Sequence, residues 1–219
     1  MSKLCIVIPM KCPKRAKQRL ATCLPQVERE SLAISMFQNT LAFFRTHFPD
    51  LQVMVISESS EMLALASSYS AQTVLEKGSK GLNGALLQAC EWVNKAGFSH
   101  QMIVPSDIAL LDKCEFSVLL KAAKRHQVVV AKAKDGGTNA LVTSPPNAID
   151  FHYGQNSAEK HGMDALDHDL SFCQLELPNL SQDIDQSDDL ERAIAQQPER
   201  FLAWRHLSNT DLMKERQYA

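Results

Sequence analysis

The chain has 219 residues, of which 45% are hydrophobic and 22% charged, a composition typical of a globular protein rather than a disordered or collagen-like one. Its 23 basic and 25 acidic residues give a net charge of −2, so there is no overall basic surplus for nucleic acid or an anionic membrane. No apolar run approaches the ~20 residues that span a bilayer, and the one near the N-terminus is too short for a signal peptide. We therefore expect a cytoplasmic protein with one domain, residues 1–219, that binds neither nucleic acid nor membrane.

Apolar, β-rich runs alternate with helical patterns along the chain. Strands are predicted at residues 4–9, 51–57, 72–76, 100–105, 127–133, 139–144 and 172–178. Helices are predicted at residues 26–48, 60–70, 83–96, 114–125, 157–168 and 187–197, with a helical tail over 198–219. The segment KDGG at 134–137 is typical of a hairpin turn between the fifth and sixth strands.

This alternation predicts an α/β fold: a single Rossmann-like domain with a mostly parallel sheet, helices on both faces and a β-hairpin. In such sheets, ligands bind at the carboxyl ends of the strands. The loops that follow the strands carry basic residues, glycines and carboxylates, and we expect them to face one cleft. Apolar residues of the tail pack either on the chain's own sheet or on a partner subunit, which would make a homodimer: Phe201, Leu202, Trp204 and Leu207.

A basic loop follows the first strand, with five positive charges in nine residues: Lys11, Lys14, Arg15, Lys17 and Arg19. A run of this kind is either a solvated surface or an anion site, and its position after a buried strand favours phosphate binding. The turn contains no glycine, so both the GxGxxG fingerprint of dinucleotide-binding proteins and the P-loop are absent.

Three aspartates follow strands and are candidates for a metal site. Asp107 follows MIVPS, while Asp183 and Asp185 follow the last strand and precede a helix. Mg²⁺ is usually held by one or two carboxylates together with phosphate oxygens. The next acids, Asp188 and Asp189, are expected instead in the first turn of the helix, where they satisfy free amides.

Other chemistry-bearing residues give weaker indications. Asn83, in the glycine-rich segment GSKGLNG, either reads a base or ribose or simply opens a helix. His161 and His168 share one predicted helix, and we interpret both as surface or packing residues. The six cysteines form no metal-like or CxxC spacing, so we expect free thiols, with Cys12 as the sole catalytic candidate among them.

Taken together, these segments resemble the guanylyltransferases of deazaflavin cofactor (coenzyme F-420) biosynthesis, which act on 2-phospho-L-lactate, phosphoenolpyruvate or 3-phospho-D-glycerate. The match runs from IVIPMK through AKQRLA, GLNGAL, VPSDIALL, GGTNALVTSPP and FHYGQNS to DIDQSDDL, roughly residues 4–192. GGTNAL followed by FHYGQNS is the specific part. The chain departs from the family pattern at VPSDIALL, where PADLPL is more usual, and at SAEKH, where SFxxH is more usual.

The resemblance implies a MobA-like nucleotidyltransferase domain that binds GTP, Mg²⁺ and a small phosphorylated carboxylic acid. By position, the metal ligands are expected to be Asp107, Asp183 and Asp185. The contacts to the acid are expected to be Thr138, Gly154 and Ser157. The nucleotide contacts are expected to be Lys11, Lys17, Arg19, Gly81 and Asn83. Catalysis is expected to rest on Lys17, Arg19 and Asp107.

The chemistry that this family performs needs positioning and charge stabilisation more than covalent work by the protein. A phosphate oxygen of the acid attacks the α-phosphorus of GTP in line, and pyrophosphate leaves. The nucleophile is already an anion, so no general base is required. Two alternatives stay open: a related nucleotidyltransferase with CTP or another acceptor, and a non-catalytic nucleotide-binding regulator.

Overall fold

The computed structural model describes residues 3–78 and 81–207. Within these residues, one sheet contains the strands β1 (Leu4–Pro9), β2 (Gln52–Ser57), β3 (Gln72–Leu75), β4 (His100–Ile103), β5 (Val128–Lys132), β6 (Thr138–Thr143) and β7 (Phe172–Leu175). The α-helices are α1 (Gln26–His47), α2 (Ser60–Ser68), α3 (Gly81–Lys95), α4 (Lys113–Ala122), α5 (Ser157–Asp167) and α6 (Ser187–Gln196). Short 3₁₀ helices lie at Pro13–Arg15, Gln18–Thr22 and Leu202–Leu207.

The strands and helices predicted between residues 4 and 197 are confirmed, with ends that differ by at most three residues. Of the helical tail predicted over 198–219, the structure shows the 3₁₀ helix Leu202–Leu207, and residues 208–219 lie outside the described residues. No helix in the described part of the chain is long and apolar enough to cross a membrane.

The sheet has the strand order β3-β2-β1-β4-β6-β5-β7, and β6 alone runs antiparallel to its neighbours. The predicted hairpin joins β5 to β6, but β6 also pairs with β4 and so lies inside the sheet rather than at its edge. Leu141 of β6 faces Ile103 on one side and Val130 on the other. The predicted α/β architecture, a mostly parallel sheet with one hairpin, is confirmed.

Helices cover both faces of the sheet because side chains of successive strand residues point to opposite faces. Ile6 and Ile8 of β1 face a core formed with α1, α2 and α4. Cys5 and Val7 face the opposite core, formed with α3 and α5. All of these β1 side chains are buried, so the sheet is a rigid platform for the loops at its carboxyl edge.

A third apolar cluster lies beyond the carboxyl edge of the sheet, and we call it the end cluster. It connects the 3₁₀ helix Gln18–Thr22 and the start of α1 with α6 and with the C-terminal 3₁₀ helix. Its buried members are Leu20, Leu24, Leu32, Met36, Ala109, Ile184, Leu190, Ala193, Ile194, Phe201, Trp204 and Leu207. Phe201, Trp204 and Leu207 are buried there against their own chain, whereas Leu202 is 59% exposed. The tail thus packs on the end cluster rather than on the sheet, and a homodimer stays a prediction.

Candidate active site

The basic loop after β1 turns one of its lysines inward. Lys17 separates two 3₁₀ helices and has a left-handed backbone, with φ of 52°. Its side chain is only 5% exposed, and its Nζ donates to Asp107 Oδ2 at 2.8 Å and to the Ile184 carbonyl. Lys14, three residues earlier, stays exposed. One buried ammonium group therefore joins the loop after β1, the loop after β4 and the segment before α6.

The loops that carry Asp107 and Asp183 are held together by backbone pairing. Ile108 and Asp183 form an antiparallel bridge, and the Ile184 N–H donates to the Asp107 carbonyl at 3.1 Å. Asp183 also accepts a hydrogen bond of 3.4 Å from Asn139 Nδ2. Burial, and then the negative charge of Asp107, raise the pKa of the Asp183 carboxyl to about 6. The two carboxylates thus share a site with more negative charge than the protein compensates.

Asp185 is turned away from this pair. Its carboxylate accepts from Arg19 Nη1 at 2.5 Å, in an ion pair that is largely exposed. Among residues 3–78 and 81–207, no three His, Cys, Asp or Glu side chains converge in a metal-binding group. The structure therefore brings Asp107 and Asp183 together and pairs Asp185 with Arg19, and the three-aspartate magnesium site stays a prediction. As expected, Asp188 and Asp189 lie in the first turn of α6, where Asp189 accepts from the Gln186 N–H at 2.8 Å.

A continuous cleft opens beside the inward lysine. One cavity of about 390 Å³ is lined by Lys11, Arg15, Lys17, Arg19, Asp107 and Asp185, among others. A second, of about 250 Å³, shares Met10, Lys11, Arg15 and Leu82 with the first and adds Glu58, Glu76 and Gly81. The cleft therefore has a basic part near the aspartates and a part with two carboxylates near the ends of β2 and β3.

The carboxylates of the second cavity have different surroundings. Glu58 forms an ion pair with Arg15 and accepts from the Cys12 N–H at 3.2 Å, and the hydrogen bond from Arg15 holds its pKa below the usual range. Burial, and then the nearby Glu58, raise the pKa of Glu76. Of the two, Glu76 is the one whose carboxylate is left with excess negative charge inside the cleft.

Gly81 and Asn83 lie at the start of α3. Gly81 lines the second cavity and has φ of +69°, a left-handed conformation that favours glycine. The Asn83 amide binds the backbone of Tyr153 twice: Nδ2 donates to the carbonyl at 3.2 Å, and Oδ1 accepts from the N–H at 2.9 Å. Its side chain is thus engaged in tying α3 to the FHYG segment, and its role as a nucleotide contact stays a prediction.

The residues predicted to hold the acid come together at the turn between β5 and β6 and the N-terminus of α5. Thr138 Oγ1 lies 2.9 Å from Ser157 Oγ, and both residues are buried. Gly154 closes the turn before Ser157, whose N–H donates to the Gly154 carbonyl at 3.2 Å. Gly154 is exposed and has φ of +136°, which side chains disfavour. Asn139, the next residue of β6, contacts Asp183 instead.

Sequence reasoning missed His161 as a member of this group. It is fully buried, and its Nδ1 lies 3.1 Å from Thr138 Oγ1. Its burial agrees with the interpretation of His161 as a packing residue, and its ring is in addition hydrogen-bonded on both sides. The signal in the sequence was the spacing of four between Ser157 and His161, which puts both on one helix face. His168 is exposed, as expected, and pairs with Asp164 at 2.9 Å.

The family of this chain follows from its similarity to known proteins. Residues 4–200 match the family model described as "Guanylyl transferase CofC like". The chain belongs to this family. The matched range includes the basic loop, both aspartate loops and the acid-site residues.

Several curated members of the CofC-like family are similar over most of their length. A 3-phospho-D-glycerate guanylyltransferase from Colwellia psychrerythraea is 41% identical over 187 residues, covering 85% of this chain and 89% of that protein. A 2-phospho-L-lactate guanylyltransferase from Methanothermobacter thermautotrophicus is 35% identical, covering 86% and 82%. A phosphoenolpyruvate guanylyltransferase from Roseiflexus castenholzii is 34% identical, covering 95% of each chain. Like these relatives, the chain is a nucleotidyltransferase.

Solved structures extend the likeness at the level of the fold. A nucleotide-diphospho-sugar transferase from Desulfovibrio desulfuricans superimposes with a TM-score of 0.74 at 16% identity, covering 100% of this chain and 96% of that one. A CMP:2-keto-3-deoxy-manno-octonic acid synthetase gives a TM-score of 0.62 at 9% identity, covering 91% and 100%. The CofC-like chain therefore has the nucleotide-diphospho-sugar transferase fold, and the nucleotidyltransferase fold implied by its resemblance to the guanylyltransferases is confirmed.

Proposed function

We propose that this protein transfers GMP from GTP to the phosphate of a small phosphorylated carboxylic acid and releases pyrophosphate, as a step of coenzyme F-420 biosynthesis. The observation that carries the proposal is the contact of Lys17 with Asp107 and Ile184, which joins a phosphate-binding loop to an acidic site. The acceptor class follows from the relatives, whose three named substrates each combine a phosphate with a carboxylate.

The cleft suits GTP as the donor. Lys11, Lys17 and Arg19 line its basic part, where their charges can bind triphosphate oxygens. The carboxylate part holds Glu76, which can accept hydrogen bonds from the N1–H and the amino group of guanine. Adenine and cytosine lack this pair of adjacent donors, so the carboxylate favours guanine over both.

For this reaction the protein must bind two anions, GTP and the phosphorylated acid, next to each other. A phosphate oxygen of the acid attacks the α-phosphorus of GTP, a new P–O bond forms, and the bond from the α-phosphorus to the bridging oxygen breaks. The electron pair leaves with pyrophosphate, and no proton needs to be removed from the nucleophile. Lys17 and Arg19 would neutralise the charge that gathers on the phosphate oxygens, which is the main catalytic contribution of such groups.

The aspartate pair fits a magnesium ion. Two carboxylates, one of them buried and with a raised pKa, form the hard oxygen donor set that Mg²⁺ prefers. Asp107 and Asp183 would hold the ion, and Asp185 would join them after it releases Arg19. When bound, Mg²⁺ neutralises charge on phosphate oxygens. Release of Arg19 from Asp185 would also free its guanidinium for the triphosphate.

The acid would be held between the Thr138–Ser157 group and the aspartate pair. The N-terminus of α5 presents amides and hydroxyls, which favour an anion. Asn139 follows Thr138 in β6 and contacts Asp183, and the second anionic end of an acid held by Thr138 and Ser157 would extend toward this aspartate.

The direct test is mass spectrometry of products formed from GTP, Mg²⁺ and each acid: 3-phospho-D-glycerate, phosphoenolpyruvate and 2-phospho-L-lactate. We expect a GMP adduct with at least one acid and release of an equal amount of pyrophosphate. CTP and ATP in place of GTP are the matched controls. Product with CTP and none with GTP would overturn the donor assignment, and GTP binding without any product would indicate a nucleotide-binding regulator.

A further inference from the structure

A buried chain of hydrogen bonds runs from the FHYG segment to the N-terminus of α5. The backbone N–H of His152 donates to His161 Nε2 at 3.0 Å, His161 Nδ1 lies 3.1 Å from Thr138 Oγ1, and Thr138 Oγ1 lies 2.9 Å from Ser157 Oγ. The side chains of His161, Thr138 and Ser157 are all buried. We call these four groups the buried hydrogen-bond chain.

The first link fixes the proton on the histidine. A backbone N–H can only donate, so His161 Nε2 must offer a lone pair to His152. Burial lowers the pKa of His161 to about 4, so its ring is neutral near pH 7. A neutral imidazole carries one N–H, which must then be on Nδ1. His161 therefore donates to the Thr138 hydroxyl, and the ring is held in place by Tyr153, whose centroid lies 5.2 Å away.

The geometry of the second link, between Thr138 and Ser157, allows either hydroxyl to be the donor. Thr138 Oγ1 accepts from His161, so its own proton needs an acceptor, and Ser157 Oγ lies within reach at 2.9 Å. Either direction leaves one buried hydroxyl proton without a further partner in this chain: that of Ser157 if Thr138 donates, and that of Thr138 if Ser157 donates. With Thr138 as the donor, Ser157 receives one hydrogen bond and its own proton needs an acceptor, which an anionic ligand would supply.

We propose that His161 is a positioning residue, which acts through Thr138 to present the Ser157 hydroxyl as a donor to an anionic oxygen of the phosphorylated acid. This inference rests on the proposed function. Ser157 begins α5, and a Cβ added at Gly154, in the turn before it, would meet no atom within 4 Å. Ser157 itself is only 1% exposed, so the open space lies at Gly154, beside the same helix N-terminus, where an anion is favoured.

Two substitutions separate this role from simple packing. His161→Asn keeps a donor near the place of Nδ1 and loses the acceptor for His152. His161→Gln keeps an acceptor near the place of Nε2 and loses the donor to Thr138. We expect the Asn variant to keep the KM for the acid within about threefold of wild type. The Gln variant should raise that KM about tenfold or more, as for a lost hydrogen bond to a charged group, with GTP affinity unchanged.

A second pair of variants tests the middle of the chain. Thr138→Val removes the hydroxyl at nearly constant volume and should raise the KM for the acid as His161→Gln does, while Thr138→Ser keeps the hydroxyl and should restore it. Equal effects of His161→Asn and His161→Gln, or a normal KM in His161→Gln and Thr138→Val, would overturn the inference. Calorimetric GTP binding shows that each variant is folded.

The position of the proton on the His161 ring can also be measured without enzyme turnover. In the ¹⁵N spectrum of the wild-type protein at neutral pH, His161 should appear as the neutral tautomer with the proton on Nδ1. An Nε2–H tautomer or a doubly protonated ring would overturn the inference. Since this measurement needs no acid and no product, it stands apart from the proposed function, which fails if the wild-type protein forms no GMP adduct with any acid.

Discussion

Replacing Asp183 with Asn should make the metal-free protein more stable while it removes activity. The pKa of Asp183 is raised from 3.8 to about 6, a difference of about two units, which corresponds to about 3 kcal/mol of cost for the ionised form at neutral pH. Screening by solvent reduces this cost, so we expect the neutral amide to stabilise the fold by about 1–2 kcal/mol at pH 7.5. The amide can still accept from Asn139 and can donate to Asp107.

The pH dependence follows from the same shift. The folded chain keeps the Asp183 proton up to about pH 6, whereas the unfolded chain loses it near pH 4, so this residue makes the wild type less stable as the pH rises through that window. Urea unfolding in EDTA should therefore show Asp183→Asn more stable than wild type at pH 7.5 and nearly equal to it at pH 4. Asp185→Asn, at an exposed ion pair, is the control and should change stability little. A destabilised Asp183→Asn protein at pH 7.5, or a gain that persists at pH 4, would refute the reasoning.

Three further substitutions, with Lys14→Ala as a control, test the cleft. Lys17→Ala should cut turnover by about 10²-fold or more because it removes the buried cation, whereas Lys14→Ala should leave turnover near wild type; the reverse order in steady-state assays would contradict the assignment. Asp107→Asn should also lower kcat by about 10²-fold with an unchanged circular dichroism spectrum, and full activity would remove the proposed metal site. Gly154→Val should raise the KM for the acid and leave GTP affinity by calorimetry unchanged, because φ of +136° disfavours a β-branched residue; equal loss of both ligands would indicate misfolding instead.

Local sequence patterns were sufficient to predict the elements of the fold but not the place of every strand. The apolar run at 139–144 and the turn KDGG predict a hairpin because turn chemistry is a local property. That β6 pairs with β4 as well as β5 depends on contacts between residues about forty positions apart, such as Ile103 with Leu141. Its continuous burial is compatible with an inner strand, yet the same pattern would suit either place.

Within the candidate site, position after a strand predicted which loops meet, since the carboxyl ends of parallel strands share one edge. Which charged side chains pair with one another inside the site could not be predicted from the sequence. The left-handed backbone of Lys17 turns its amine to Asp107, and no glycine or asparagine marks that conformation in the sequence. Asp183 and Asp185 are two residues apart, and both were predicted to bind the metal. The backbone bridge with Ile108 directs Asp183 inward, whereas Asp185 forms an ion pair with Arg19 at the surface.

The end cluster has a consequence for how this protein would fail on heating. The loops that bear Lys17, Asp107 and Asp183 rest on Leu20, Ala109 and Ile184 of that cluster, which is separate from the two cores of the sheet. The C-terminal segment is also hydrogen-bonded to the end cluster, because Arg200 Nη1 donates to the Ala109 carbonyl at 3.1 Å. Small peripheral clusters open at lower free energy than a central sheet. Inactivation should therefore precede unfolding, and a shortened C-terminus should leave a well-folded sheet with no working cleft.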